Sequence, residues 1–252
     1  MAAHKIQVFL VMGIIVSILC CKSAVVKSTE LQSPQEELER AIGEIQAKKY
    51  SSAIKILEEI IFNYPATPYA VEAQYYLAEA YFQKKNYIQA IAEYEFFINN
   101  FSTSRYLEDV YYKLAVCYLK AAPSIARDPQ YIQKSWETIL VLEENFPNTK
   151  YASEIQKMKN EITNLWAKKY YDIGVLYYRG GENDASRVYF DYVINEYPTT
   201  KWAQWSKFMI AQILKSKDSI ADASRIYQEL LNDTTEPALL KLVQTQINKL
   251  PK

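Results

Sequence analysis

Small residues return along this chain at one interval. Ala41, Ala78 and Ala115 stand 37 residues apart, and so do Gly174 and Ala211. Within the units a second small residue follows 12 later: Ala53 after Ala41, Ala90 after Ala78, Ser186 after Gly174 and Ala223 after Ala211. Small side chains at two fixed places are what a pair of helices needs where their backbones cross closely, because a larger group there holds them apart. The segments around these places carry apolar residues at helical spacing. Between units stands a recurring phrase: NYPATPYA at 63–70, NFSTSRYL at 100–107, NFPNTKYA at 145–152 and EYPTTKWA at 196–203. Its Pro or Ser follows an aromatic that closes one amphipathic run, and its Thr or Ser can cap the next helix. The pattern dictates helical hairpins in series, each too small to bury its apolar face alone and so stacked on its neighbours.

The spacing meets the tetratricopeptide pattern W-x2-L-G-x2-Y…A-x3-F…P piecewise. The second unit supplies Leu77, Ala78, Tyr81, Ala90 and Tyr94; the third, Leu114, Ala115, Tyr118, Ser135, Ile139 and Pro147. The fourth has Ile173, Gly174, Tyr177, Ser186, Phe190 and Pro198, and the fifth Ile210, Ala211, Leu214, Ala223 and Tyr227. The first keeps Ala41, Ala53, Leu57 and Pro65 but carries Glu37, Arg40 and Glu44 on its first helix, as suits a unit with no preceding neighbour. The expected fold is all-α, a right-handed superhelix (solenoid) of five tetratricopeptide-like helical hairpins. The repeats are placed at about 34–67, 71–104, 108–149, 151–200 and 204–237.

One interval departs from the rule, since Ala115 and Gly174 are 59 residues apart, 22 more than the period. Eight of these enlarge the third hairpin's turn, an insertion at 120–130 containing Pro123 and Pro129. The other 14 follow Pro147 and extend a helix over 150–178. Fourteen residues are close to four helical turns, so the apolar stripe of Ile155, Met158, Ile162, Leu165 and Trp166 is rotated by only about 40° while the rod gains about 21 Å.

At the N-terminus, His4 and Lys5 precede an apolar run from Ile6 to Leu19, and Cys20-Cys21 follow. This reads as a signal peptide over residues 1–20, too short for a spanning helix. Its end, ILCC, resembles a lipobox; Cys21 is then the lipidated residue, with cleavage before Cys20 as the alternative. Residues 21–33 form a polar tether with a reach of roughly 20 Å, and 34–252 the repeat domain.

Removal of the signal peptide takes away His4, the only histidine, and with it imidazole catalysis and His-ligated metal sites. Cys117, in an apolar helical run, reads as a buried small hydrophobe. The 5 Gly form no phosphate-binding loop, and 29 Lys+Arg against 29 Asp+Glu give no pull towards nucleic acid. The adjacent carboxylates Glu58-Glu59 and Glu143-Glu144 diverge on a helix and make poor acid–base pairs. No enzyme activity, cofactor, metal or nucleic-acid partner is expected.

The layout of lipobox, polar tether, five repeats and an insertion in the third resembles the BamD (ComL-type) family of outer-membrane protein assembly factors. The segment ARDPQYIQKSWETILVLEENFPNTKY at 126–151 carries the most specific match, in Arg127, Asp128, Pro129, Gln130, Trp136 and the Phe146-Pro147 pair. The resemblance covers essentially the whole mature chain. It implies a lipid-anchored protein on the periplasmic face of the outer membrane, sorted there with Lys22 after the acceptor Cys, in the β-barrel assembly machinery. The implied partners are a barrel-forming subunit with periplasmic repeats and unfolded outer-membrane protein clients. Where the family carries an Asn-Arg-aromatic triplet that couples to the barrel subunit, this chain has Val188, Tyr189 and Phe190, so that role is not carried over. The alternative is a repeat lipoprotein or cell-division coordinator of another envelope system, of the Tol-Pal type.

Stacked hairpins expose a groove lined by their first helices, a surface suited to extended peptides. The residues placed on it are Tyr75, Glu79 and Phe82 in the second unit and Asp109, Tyr112, Val116 and Leu119 in the third. Leu38, Ile42 and Ile45 of the first unit share the spacing and either line the groove or pack inward.

Overall fold

A computed structural model describes residues 33–122, 129–234 and 236–250. Among the described residues there are helices and no strands. The helices are α1 (Pro34–Gln46), α2 (Tyr50–Asn63), α3 (Pro68–Gln83), α4 (Tyr87–Asn100), α5 (Leu107–Ala121), α6 (Gln130–Asn145), α7 (Ala152–Arg179), α8 (Asn183–Glu196), α9 (Lys201–Ser216), α10 (Ile220–Asp233) and α11 (Pro237–Ile247). Consecutive pairs from α1–α2 to α9–α10 form five antiparallel hairpins, and α11 covers α10 at the end of the stack. The fold is an all-α helical repeat solenoid. First helices of successive hairpins touch, α1 on α3, α3 on α5 and α7 on α9, more closely than second helices do, so the first helices form the inner wall.

The small residues sit where the hairpins cross. Ala41, Ala78, Ala115 and Ala211 are fully buried, and so are the large residues four positions after the second small residue: Leu57, Tyr94, Ile139, Phe190 and Tyr227. At Gly174 a methyl group would lie 2.6 Å from Cε1 of Phe190, so the largest apolar partner is accommodated by the smallest residue. In the third and fourth hairpins the second small residue is Ser. Its hydroxyl donates to the carbonyl of the first, Ser135 to Ala115 at 2.8 Å and Ser186 to Gly174 at 2.9 Å, so neither buried oxygen is left unpaired.

The hairpin turns repeat as well. Seven residues after the first small residue, Lys48, Lys85, Gly181 and Asp218 all have φ between 60° and 83°. In each turn the next amide reaches back across the last helical turn, as from Asn86 to the Tyr81 carbonyl and from Glu182 to the Tyr177 carbonyl, each 3.0 Å. Only Gly181 adopts this conformation without a Cβ penalty.

The recurring phrase ends each second helix at an aromatic, Tyr64, Phe101, Phe146 or Tyr197. Thr67 and Thr200 then cap as the sequence suggests, each donating to the preceding aromatic's carbonyl and accepting from the amide three residues on. Ser104 and Thr149 instead accept from the amides of Tyr106 and Tyr151, two residues on, and α5 and α7 start later. The 28-residue α7 serves two hairpins. Ile155, Met158 and Ile162 of its first half complete a core with Ile132, Ile139 and Leu142, and Gly174 of its second half crosses α8.

Gly174→Ala is expected to lower stability by about 1 to 3 kcal/mol through overpacking against Phe190, read as the shift of the urea midpoint. Lys85→Gly, relieving a left-handed lysine whose side chain is exposed, is expected to raise stability by about 0.5 to 1 kcal/mol in the same measurement.

Candidate functional site

Three of the recurring phrases start the next first helix with a basic residue and an aromatic: Arg105-Tyr106, Lys150-Tyr151 and Lys201-Trp202. Each aromatic meets a tyrosine of the preceding first helix, three positions before its small residue. Tyr106 stacks on Tyr75 with centroids 4.1 Å apart and planes 12° apart, and Tyr151 on Tyr112 at 3.9 Å and 6°. Trp202 lies against Tyr171 at 5.2 Å and 37°. Each cation lies over the ring beside it, Arg105 at 4.8 Å, Lys150 at 5.1 Å and Lys201 at 5.0 Å from the centroid. Along the inner wall the hairpins are thus joined by a repeated unit of two rings and one cation.

In the first two of these junctions the cation is also paired with a carboxylate. Glu72 accepts from Arg105 at 2.6 Å, and Asp109 accepts from Lys150 at 2.5 Å and from the Tyr151 hydroxyl at 2.8 Å. Burial pushes the Asp109 carboxyl upwards, but the hydrogen bonds from Lys150 and Tyr151, with the Lys150 and Lys113 charges, outweigh it and hold the group below its usual range.

Between these junctions lies a buried polar cluster. Glu79 is ion-paired with Lys113 of α5 and accepts from Tyr94 at 3.4 Å and Gln83 at 2.8 Å. Lys113 also donates to the Tyr75 hydroxyl at 3.3 Å and lies 5.9 Å from the Phe82 ring centroid.

These contacts correct the open groove drawn from the sequence. Tyr75 and Glu79 are buried, at 7% and 9% exposure, under Tyr106 and Lys113, and offer no free anchor. Leu38 is buried in the core of the first hairpin, and Ile42 and Ile45 pack against that core, because the polar face of α1 turns outward. Phe82, Tyr112, Val116 and Leu119 are half-buried, packed against the cores of the second and third hairpins while keeping part of their surface on the wall. Asp109 is held by Lys150 and Tyr151.

Pro129 precedes α6 as its cap, and Gln130 lines a surface pocket of about 390 Å³ with Ile88, Tyr118, Tyr131 and Lys134. Arg127, Asp128 and Cys21 lie outside the described residues. In the fourth hairpin Phe190 fills the crossing at Gly174, while Val188 faces solvent at 66% exposure and Tyr189 stacks on Tyr177. Cys117 is buried, and burial pushes its thiol up to about 12. Sequence reasoning missed Lys113 and the three basic-aromatic pairs. The pairs stand in the recurring phrase itself, where the basic residue before the aromatic was the available signal.

Among the described residues no group of His, Cys, Asp and Glu is placed to hold a metal, and no helix is long and apolar enough to cross a membrane.

The model of a family described as outer membrane lipoprotein, YfiO, matches residues 32–227. No curated protein matches the chain. Among solved structures, the TPR2AB domain of yeast Sti1 in its complex with pHSP90 is similar over 86% of this chain and 84% of its own, at 12% identity and a TM-score of 0.49. A thermophilic TPR protein of Thermus thermophilus is similar over 86% of this chain and 100% of its own, at 15% identity and a TM-score of 0.39. The P58(IPK) TPR domain is similar over 86% and 55%, at 14% identity and a TM-score of 0.42.

Because Asp109 titrates below its unfolded value of about 3.9, its contribution is present above that pH and lost as pH falls through the folded value. Asp109→Asn is expected to cost roughly 1 kcal/mol at pH 7, allowing for the solvent that reaches the pair, and progressively less along a series of acid pH values below about 3.9. Urea denaturation of both proteins at pH 7 and along that acid series reads the difference.

Proposed function

The chain belongs to the YfiO family of outer membrane lipoproteins, and from that premise we propose that it is a scaffold of β-barrel assembly, anchored through lipid on Cys21 to the periplasmic face of the outer membrane. There it binds segments of unfolded outer-membrane proteins and the barrel-forming subunit, without transforming either. The observation that carries the reading is the inner wall, where ring pairs and cations recur at every junction from α3 to α9. A wall with rings and charges at regular steps suits an extended polypeptide, which presents side chains at regular steps of its own.

Two features support protein partners over small ligands. Two open pockets lie at the junction of the second and third hairpins, one of about 500 Å³ bounded by Val71, Phe101, Arg105 and Tyr106 and one of about 390 Å³ beside Gln130. Exposed apolar side chains, Leu176 at 70% and Val188 at 66%, also stand on the fourth hairpin, where a partner would remove them from water. The third-repeat segment at 126–151 supports assignment to the barrel machinery in particular.

Pull-down with the full chain from detergent-solubilised outer membranes is expected to recover a large barrel protein with periplasmic repeats, and depletion is expected to lower barrel-protein levels. Recovery of only Tol-Pal or peptidoglycan-bound proteins, with normal barrel levels on depletion, rejects the reading.

A further inference from the structure

The third ring-pair junction breaks the charge rule of the other two. Glu72 stands six positions before Ala78 and Asp109 six before Ala115, and each carboxylate neutralises the cation of its junction. Six positions before Gly174 the residue is Lys168. Its amine lies 5.3 Å from the centroid of Trp202, and that of Lys201 lies 5.0 Å from the same ring. Two cations thus share one indole, whereas at the first junction Arg105 and Lys113 are paired with Glu72 and Glu79, and at the second Lys150 is paired with Asp109.

The local charges leave these cations available. Lys168 pairs with Asp172 at 2.5 Å, one turn along α7, but both side chains are about half exposed, at 47% and 54%. Such an exposed pair is weak and exchanges readily with water or another partner. Lys201 makes no ion pair among the described residues.

We propose that this junction, between the fourth and fifth hairpins, is a binding site for a side-chain carboxylate of a partner polypeptide. The molecule itself is the template: in its other two junctions the same place is filled by the carboxylate of Glu72 or Asp109 against a cation and a ring pair. A partner Asp or Glu reaching between Lys168 and Lys201 completes the third junction in the same way. The face of Trp202 suits an apolar residue beside that acid. The ligand is an extended acidic segment with an aromatic or aliphatic residue next to Asp or Glu. This inference rests on the reading of the protein as a partner-binding scaffold and names the chemistry of one contact.

The test uses the full chain in detergent and a fluorescein-labelled, C-terminally amidated peptide of Glu-Phe pairs separated by Ser, followed by fluorescence polarisation. In Lys168→Glu/Lys201→Glu the affinity is expected to fall about tenfold or more. The helical circular-dichroism spectrum should stay unchanged, since both lysines are exposed, with the melting midpoint slightly lowered by loss of the cation–ring contacts and of the pair with Asp172. A peptide with Gln for Glu should bind the unsubstituted protein as weakly as the Glu peptide binds the variant. Carbodiimide should couple the Glu peptide to Lys201, which makes no ion pair among the described residues, in preference to Lys150, whose carboxylate partner is already in place.

The proposal is overturned if the unsubstituted protein does not bind the Glu peptide, if the variant binds it equally well, or if the Gln peptide matches it. Phosphatidylglycerol vesicles that need these lysines while the peptide does not would overturn it in favour of a lipid surface. The same variant separates this site from the wider reading. Undiminished peptide binding by the variant, with a barrel subunit recovered by the unsubstituted protein, removes the site and leaves the scaffold. Peptide binding that depends on the lysines, with no barrel subunit recovered by the unsubstituted protein, does the reverse.

Discussion

Close crossing at the small residues is the constraint on which the stack depends. With Ala or Gly on the first helix and Ala or Ser on the second, two backbones approach until the large residue four positions later covers the contact. Interiors are packed so tightly that one added methyl is felt, and a hairpin opened at its crossing would present a displaced face to the next. The error would then propagate, since each unit packs only on its neighbours. The serines at 135 and 186 fit the same logic, because each hydroxyl is bonded to the carbonyl it approaches.

Charge placed on the inner wall works differently from this apolar contact. The position after the first small residue is Ile42, Val116 and Val175 in three units and Gln212 in another, but Glu79 in the second. A buried carboxylate there needs a cation, and Lys113 supplies it from the neighbouring hairpin, with side-chain exposures of 11% and 17%. Desolvation cancels much of the attraction in such a pair, so its net stabilisation is small, whereas loss of either partner leaves a buried charge and costs several kcal/mol. The pair therefore selects one arrangement of the second hairpin on the third. It also explains why this part of the wall is closed.

The hairpin architecture was legible because the period of small residues and the Pro/Ser punctuation are local, and each reports directly on a backbone crossing or a helix end. Occupancy of the wall was not. Helical spacing put Tyr75, Glu79 and Leu38 on a face, yet what covers a face is set by residues more than thirty positions away, such as Tyr106 and Lys113. Leu38 shows a further limit: the apolar stripe of α1 enters a core shared with α2 and with Ala73, Leu77 and Ala80 of α3, so spacing alone cannot choose between groove and core. The basic-aromatic pairs were visible as letters, but their meaning depended on tyrosines of the preceding unit.

The repeated junction links stability to recognition. Two stacked rings hold successive first helices together, and a cation over the ring adds attraction that survives partial exposure. When a carboxylate from the same chain completes the set, as at Glu72 and Asp109, the junction is self-sufficient and its surface is neutral. Where lysine stands at the carboxylate position the rings still meet, though tilted, with Trp202 lying 5.2 Å and 37° from Tyr171. Charge at a junction can thus vary from one hairpin to the next without disturbing the stack. A solenoid built in this way separates its two requirements, with small residues and rings setting geometry and the acid position setting the electrostatic character of each step along the wall.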